Sequence, residues 1–143
     1  MLADHLRPHL FCKPLLKRPA DRLAIQSVVL AGSSRFFFGS DSAPHGRVAK
    51  ECDCGAAGIY SASVALPLLA GFFEAAGKLE RLADFTGRFG AEFYGLPLPS
   101  DELVLLRKKW RVPEALHEGM EGFPAGGVVP LAAGQELAWA VEG

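Results

Sequence analysis

Residues 35–51 read RFFFGSDSAPHGRVAKE, and the reading of this stretch decides the fold. Arg35-Phe36-Phe37-Phe38 is apolar at consecutive positions, without the polar alternation of a half-exposed strand. That pattern predicts a strand with both faces covered, as in a parallel sheet. The run delivers the chain to Asp41, and Ser42, Pro44 and His45 follow at once. An Asp before Ser-Ala-Pro makes a sound Asx turn or helix cap. It also puts a carboxylate and an imidazole in one loop beyond a strand's carboxyl end, where α/β sheets gather their chemistry.

Upstream, His9–Cys12 reads as a short strand limited by Pro8 and Pro14. Between the two strands, Pro19-Ala20-Asp21-Arg22 opens an amphipathic helix carrying Leu23, Gln26, Val29 and Leu30, and Gly32-Ser33 closes it. Strand, helix, strand is the βαβ unit, with a right-handed crossover. Residues 42–58 form a long polar, Gly-rich loop of the functional sort.

Downstream, Ser61 or Ser63 caps a helix running through Leu68, Leu69, Phe72, Phe73 and Ala76 to Gly77, with Pro67 near its first turn. A second helix runs from Leu79 to Phe89, burying Leu82, Phe85 and Phe89, with Gly90 beyond its end. Residues 93–112, FYGLPLPSDELVLLRKKWRV, read as a turn followed by an extended stretch. Residues 119–127 are loop, and LAAGQELAWAV (131–141) is a closing strand or hairpin. Two parallel strands with one crossover helix do not make an independent sheet, because faces and edges need cover.

The chain has 143 residues, half of them apolar and 22% charged, a globular composition within the range of one domain. Its formal charge of −1 gives no field to recruit nucleic acid or an anionic membrane. The longest apolar stretch, 62–73, is broken by Ser63, Pro67 and Gly71, and falls short of the ~20 residues a bilayer crossing needs. The first residues, MLADHLRPHLF, lack the ordered features of a signal peptide, so the expected location is cytoplasmic. Cys12, Cys52 and Cys54 cannot all pair, and C-x-C without a second pair does not make a zinc knuckle. They are expected as free thiols.

Asp41 is the strongest chemical candidate, as a metal-binding carboxylate or general base. His45 either faces a substrate and donates to an anionic group or is a solvated loop histidine. Pro44 removes helical geometry between the two. His5 and His9 suggest a metal pair, but Pro8 disfavours the helix that would align them. His117 is expected to be solvated. Arg47, Lys50 and Glu51 read as loop charges that pair with one another or with water. Lys13, Lys17 and Arg18 form a basic edge suited to an acidic substrate, or a plain solvated face. Trp110 and Trp139 read as packing. No GxSxG, Walker loop, GxGxxG or HExxH occurs, so serine hydrolysis, phosphoryl transfer and hydride transfer have no support.

Five segments in order, RPHLFCKPLLKR (7–18), FFGSDSAPHGRVAKE (37–51), CGAAGIYSA (54–62), FYGLPLP (93–99) and PLAAGQELAW (130–139), resemble the carboxyl-terminal part of dihydroorotase. The type resembled is the homodimeric microbial enzyme of the amidohydrolase superfamily, and the likeness covers almost the whole chain. It implies the last two strands, following helices and tail of a TIM (β/α)8 barrel, so that 1–143 is a single incomplete domain. It implies interconversion of N-carbamoyl-L-aspartate and L-dihydroorotate, small-molecule substrates of pyrimidine biosynthesis, at a two-zinc centre. Asp41 then ends the eighth strand, binds the more buried metal and shuttles a proton to the ring nitrogen. His45 matches the histidine that holds the substrate carboxylate, and Lys13 and Ala57 match backbone contacts to the ring.

Two places depart from the family pattern: residues 89–92 (FGAE) stand before FYGLP, and Pro67 stands where a non-proline residue is expected. The family's H-x-H pair, carboxylated lysine and other metal histidines have no counterpart in the chain, and a whole barrel takes about 250 residues. Met1-Leu2 matches an internal Met-Leu of the family, so the chain is expected to start at an internal methionine, as a truncated form. One carboxylate cannot hold a two-metal centre, so it is expected to be inactive alone. The alternative is a non-catalytic module, derived from the barrel, that docks on a partner chain through its strand edges.

Overall fold

The computed structural model describes residues 6–15, 18–98 and 100–142. The chain divides into two compact units. The first comprises Met1–Leu16, Ser40–Ala65 and Trp110–Leu137, and the second Lys17–Gly39, Leu66–Lys109 and Ala138–Gly143.

In the first unit the strand expected at 9–12 is absent. Pro8–Leu10 forms a 3-10 turn instead, with Leu10 N donating to Arg7 O and Phe11 N to Pro8 O, each at 3.0 Å. Proline at the first position presets the φ of such a turn. The stretch expected as loop at 42–58 contains a short helix, α2 (Arg47–Glu51). Beyond it, Ser42 bridges Ile59 and Tyr60 bridges Pro130, both in parallel sense, while Leu116 and Val128 pair antiparallel. Strand β2 (Trp110–Arg111) pairs antiparallel with β3 (Glu136–Leu137). Val64, Val112 and Val128 are the most buried side chains of this unit, joined by Leu137.

The second unit opens on α1 (Pro19–Leu30), as expected. Asp21 accepts from Arg18 N at 3.0 Å and from Arg18 Nε at 3.2 Å, and its own N–H donates to the Arg18 carbonyl at 3.0 Å, which caps the helix. That guanidinium, then the backbone bond, holds the Asp21 carboxyl below its usual range. On α1, Leu23 and Ile25 are more than half exposed, while Val28, Val29 and Leu30 are partly buried.

The strand expected at 35–38 is not formed: Arg35 lies in a turn, and Phe36 N donates to Ser33 O at 3.1 Å. Phe38 N donates to Phe85 O at 2.9 Å, and no described strand lies beside the run. A parallel strand needs a neighbour on at least one edge, so the βαβ unit read from the sequence is not formed by these residues.

Helix α3 (Ala65–Ala75) leaves through a turn to Gly77 at φ of 64°, the glycine exit expected, with Pro67 tolerated in the first turn. At its entry the Ser61 carbonyl, rather than a serine hydroxyl, takes the amides of Val64 and Ala65, at 3.0 and 2.8 Å.

The second helix differs from expectation. Leu79–Arg81 is a 3-10 turn, Asp84–Arg88 a π-helical turn, and α4 (Phe89–Tyr94) carries the chain through Gly90 to a left-handed cap at Gly95. Gly90 sits inside the helix because a Cβ there would stand 3.3 Å from the Phe37 ring. Aromatic packing holds this unit: Phe73 meets Phe72 and Phe85 at centroid distances of 5.2 and 5.6 Å, and Phe37 meets Phe93 at 5.2 Å. Phe73 is fully buried, a contribution of about 1.5–3 kcal/mol.

Near its end the chain supplies two strands rather than one hairpin: β3 in the first unit, and β4 (Ala140–Val141) in the second, paired with β1 (Leu105–Leu106). Trp139 Nε1 donates to Glu74 at 3.0 Å and Arg107 pairs with the same carboxylate at 2.6 Å, so Trp139 has a polar anchor besides its packing. No described helix is long and apolar enough to cross a membrane.

Candidate functional site

Lys13, Asp41, His45 and Ala57 all fall in the first unit. Three backbone stretches carry them and lie side by side. Gly58 N donates to Phe11 O at 2.9 Å, tying the Lys13 stretch to the Ala57 stretch. Ala43 N donates to Ile59 O at 3.0 Å, tying the Asp41–His45 stretch to the other side of Ala57. Ser42 Oγ reinforces this by accepting from Ser61 N and Ala62 N at 3.0 and 2.9 Å.

Asp41 adopts a left-handed backbone with φ of 41°, the region Asp tolerates better than most residues. Its side chain is exposed and has no hydrogen bond or ion pair among the described residues, so the carboxylate neither caps an amide nor meets an arginine there. His45 is half-buried, and its ring lies against Gly58. The imidazole likewise has no described polar partner. Gly58, at φ of 146°, leaves the space in which that ring sits. Lys13 is exposed and precedes Pro14 across a cis peptide bond. The backbone N–H and C=O of Lys13 and Ala57 take no partner among the described residues. The arrangement therefore offers an open carboxylate, an open imidazole and two unspent stretches of backbone.

Lys50 is not the loop charge the sequence suggests. It is 3% exposed, and its ammonium donates to Phe11 O, Ala56 O and Gly58 O at 2.9, 2.8 and 2.5 Å. Burial pushes its pKa down from the usual lysine value, and the Cys12 thiol opposes that. Glu51 does carry ion pairs, at 2.9 Å with His9 Nε2 and at 4.0 Å with Arg47. His9 is thus engaged by a carboxylate, while His5 and Lys17 lie outside the described residues. His117 stacks on Phe123 with ring centroids 4.1 Å apart.

The three cysteines are free, and Cys52 and Cys54 approach to 3.7 Å between sulfurs. The Cys54 contact, then backbone bonds, lower the Cys52 pKa. Both thiols line a cavity of about 360 Å³ with Leu6, Arg7, Phe11 and Lys50. Among the described residues no three His, Cys, Asp or Glu side chains are grouped to hold a metal.

Sequence reasoning missed Ser42, Lys50 and Gly58. The small-residue run CGAAG (54–58) is the one signal that backbones approach closely here. Nothing in the sequence marks Lys50.

No protein-family profile matches the chain. Curated relatives do: it is 51% identical to the dihydroorotase of Halorhodospira halophila over 97% of its own length and 39% of that protein. It is 48% identical to the mitochondrial dihydroorotase of Arabidopsis thaliana over 94% of its length and 34% of that protein. Among solved structures, the dihydroorotase of Saccharomyces cerevisiae in complex with 5-fluoroorotic acid superposes with a TM-score of 0.86 at 36% identity. That match covers 95% of this chain and 38% of that one. The dihydroorotase of Campylobacter jejuni gives 0.82 at 36% identity, covering 96% and 39%. In sequence and fold, the chain is related to part of the dihydroorotases. It spans about two-fifths of their length.

Proposed function

We propose that this chain is the carboxyl-terminal part of a zinc-dependent dihydroorotase, a cyclic amide hydrolase interconverting N-carbamoyl-L-aspartate and L-dihydroorotate. The observation that carries the reading is the convergence of Asp41, His45 and the unspent backbone of Lys13 and Ala57 on three adjoining stretches. The relatives matched almost end to end along this chain are dihydroorotases, and one solved relative holds 5-fluoroorotic acid, a pyrimidine carboxylate. The alternative of a non-catalytic docking module has no comparable support.

An open carboxylate such as Asp41 fits a metal, but it is a single ligand, and the described residues group no others with it. The remaining ligands then belong to the part of a dihydroorotase this chain does not span. Zinc, when bound, supplies Lewis acidity and a water acidic enough to attack at neutral pH. Asp41 accepts the proton of that attacking water on a carboxylate oxygen and returns it to the ring nitrogen as the amide bond breaks. His45 donates to the substrate carboxylate and fixes its orientation. Lys13 and Ala57 meet the ring edge with backbone N–H and C=O groups.

In this reading the residues 1–143 are a single incomplete domain closing a (β/α)8 barrel, and the apolar run before Asp41 becomes a paired strand only when the rest of the barrel is beside it. The complete enzyme is a cytoplasmic homodimer, as the resemblance implies, and it has no nucleic-acid or membrane partner.

The test is reconstitution. The chain alone is expected to show no turnover of dihydroorotate and no tight zinc. The chain joined to the complementary amino-terminal part of the Halorhodospira halophila enzyme is expected to show both. A joined protein that folds and binds zinc but leaves dihydroorotate untouched contradicts the reading.

A further inference from the structure

We infer that Lys50 is a positioning residue for substrate, polarising and fixing the Ala57 backbone through the carbonyls on either side of it. This rests on the reading above, in which Ala57 meets the ring. Lys50 does not itself reach the ring; its three donors are all spent on carbonyls.

The connectivity of the peptide groups gives the reason. Ala56 C=O and Ala57 N–H belong to one peptide unit, and the Lys50 ammonium sits on that carbonyl at 2.8 Å. A cation on the oxygen draws charge from the nitrogen and makes Ala57 N–H a stronger donor. Ala57 C=O and Gly58 N–H belong to the next unit, and Gly58 N–H donates to Phe11 O at 2.9 Å. That bond makes Ala57 C=O a stronger acceptor by the same cooperativity.

Phe11 O is also held by Lys50 at 2.9 Å, so one ammonium fixes the Lys13 stretch relative to Ala57. Gly58 O at 2.5 Å and the Ala56 N to Ala49 O bond at 2.8 Å complete the frame. Within it, the Ala57 groups, like those of Lys13, remain without a described partner. Peptide groups so placed are ordinarily taken by water or ligand. A donor and an acceptor side by side on one residue suit a cyclic amide, which presents the complementary pair.

The test uses the joined protein described above, with Lys50→Met, which keeps the apolar stem and removes the donors. The KM for dihydroorotate is expected to rise about 10- to 100-fold with kcat changed far less, the scale of a charged hydrogen bond. Lys50→Ala supplemented with propylammonium is expected to recover part of that loss. An unchanged KM, or a fall in kcat alone, overturns the assignment. So does loss of fold by circular dichroism in both variants, which would make Lys50 a folding residue only. Should the unmutated joined protein be inactive, the parent reading fails, and the polarisation is read separately by NMR on the 143-residue chain. There Lys50→Met is expected to move the Ala57 amide proton upfield, and an unmoved resonance overturns the inference.

Discussion

Gly58 and His45 occupy adjoining space: a Cβ built on Gly58 would stand 2.8 Å from His45 Cδ2 and 2.9 Å from Nε2. Gly58 also holds a backbone with φ of 146°, which side-chain-bearing residues rarely adopt. Gly58→Ala is therefore expected to displace the His45 ring and to lower stability by about 1–3 kcal/mol. Chemical denaturation and the His45 ring resonances check both effects. A native-like stability with unmoved ring resonances would show that the loop yields without strain.

The Cys52–Cys54 contact at 3.7 Å makes a second expectation. The Cys52 thiol is held below its ordinary value of 9.0, first by Cys54, so thiolate should form at lower pH than in a free cysteine. Alkylation of Cys52 by iodoacetamide, followed by peptide mass spectrometry, is expected to reach half its limiting rate below pH 9.0. Cys54→Ala should move that midpoint upward. An identical midpoint in the variant would remove Cys54 as the cause.

Asp84 and Arg88 form a two-pronged pair, with bonds of 2.7 Å from Arg88 Nε and Nη2. Arg88, first through its side-chain bond and then its charge, holds the Asp84 carboxyl below its ordinary 3.8. Because the folded value is the lower one, the pair's stabilisation is present above pH 3.8 and is lost as pH falls through the folded value. Far-UV circular dichroism should show residual helix loss in that acid window, and Asp84→Asn should flatten this part of the profile. A profile unchanged by the substitution would show that the pair has no part in it.

The parts of the fold legible in the sequence are those governed by local chemistry. Pro19, Asp21 and Gly32 delimit α1 because first-turn proline, an acidic N3 and a glycine exit act within a few residues. Gly77 ends α3 for the same reason. The apolar content of the Phe36–Phe38 run and of the stretch at 9–12 predicts strands, yet a ladder is a property of neighbours. Phe11 and Phe38 each take a single long-range backbone bond, from Gly58 N and to Phe85 O. Gly90 looks like a terminator, but the approach of the Phe37 ring explains a glycine within the helix.

The site shows the same division. Asp41 and His45 stand out because unlike polar groups crowd a strand's expected end. Lys13 and Ala57 came only from the family resemblance, since their use is of backbone and leaves no mark in side-chain type. In sequence Lys50 looks like a solvated charge, because a lysine beside a glutamate is usually that. Its three carbonyl partners are fixed by loop closure, which spacing does not reveal.

The central claim is that the Asp41 carboxylate holds a metal and moves the proton of ring opening. It is tested most directly by Asp41→Asn in the joined protein, measuring dihydroorotate turnover and bound zinc together. The expected result is a loss in kcat of at least about 10²–10⁴-fold with a fall in zinc content, while the overall fold is kept. Near-normal turnover with unchanged zinc would contradict it.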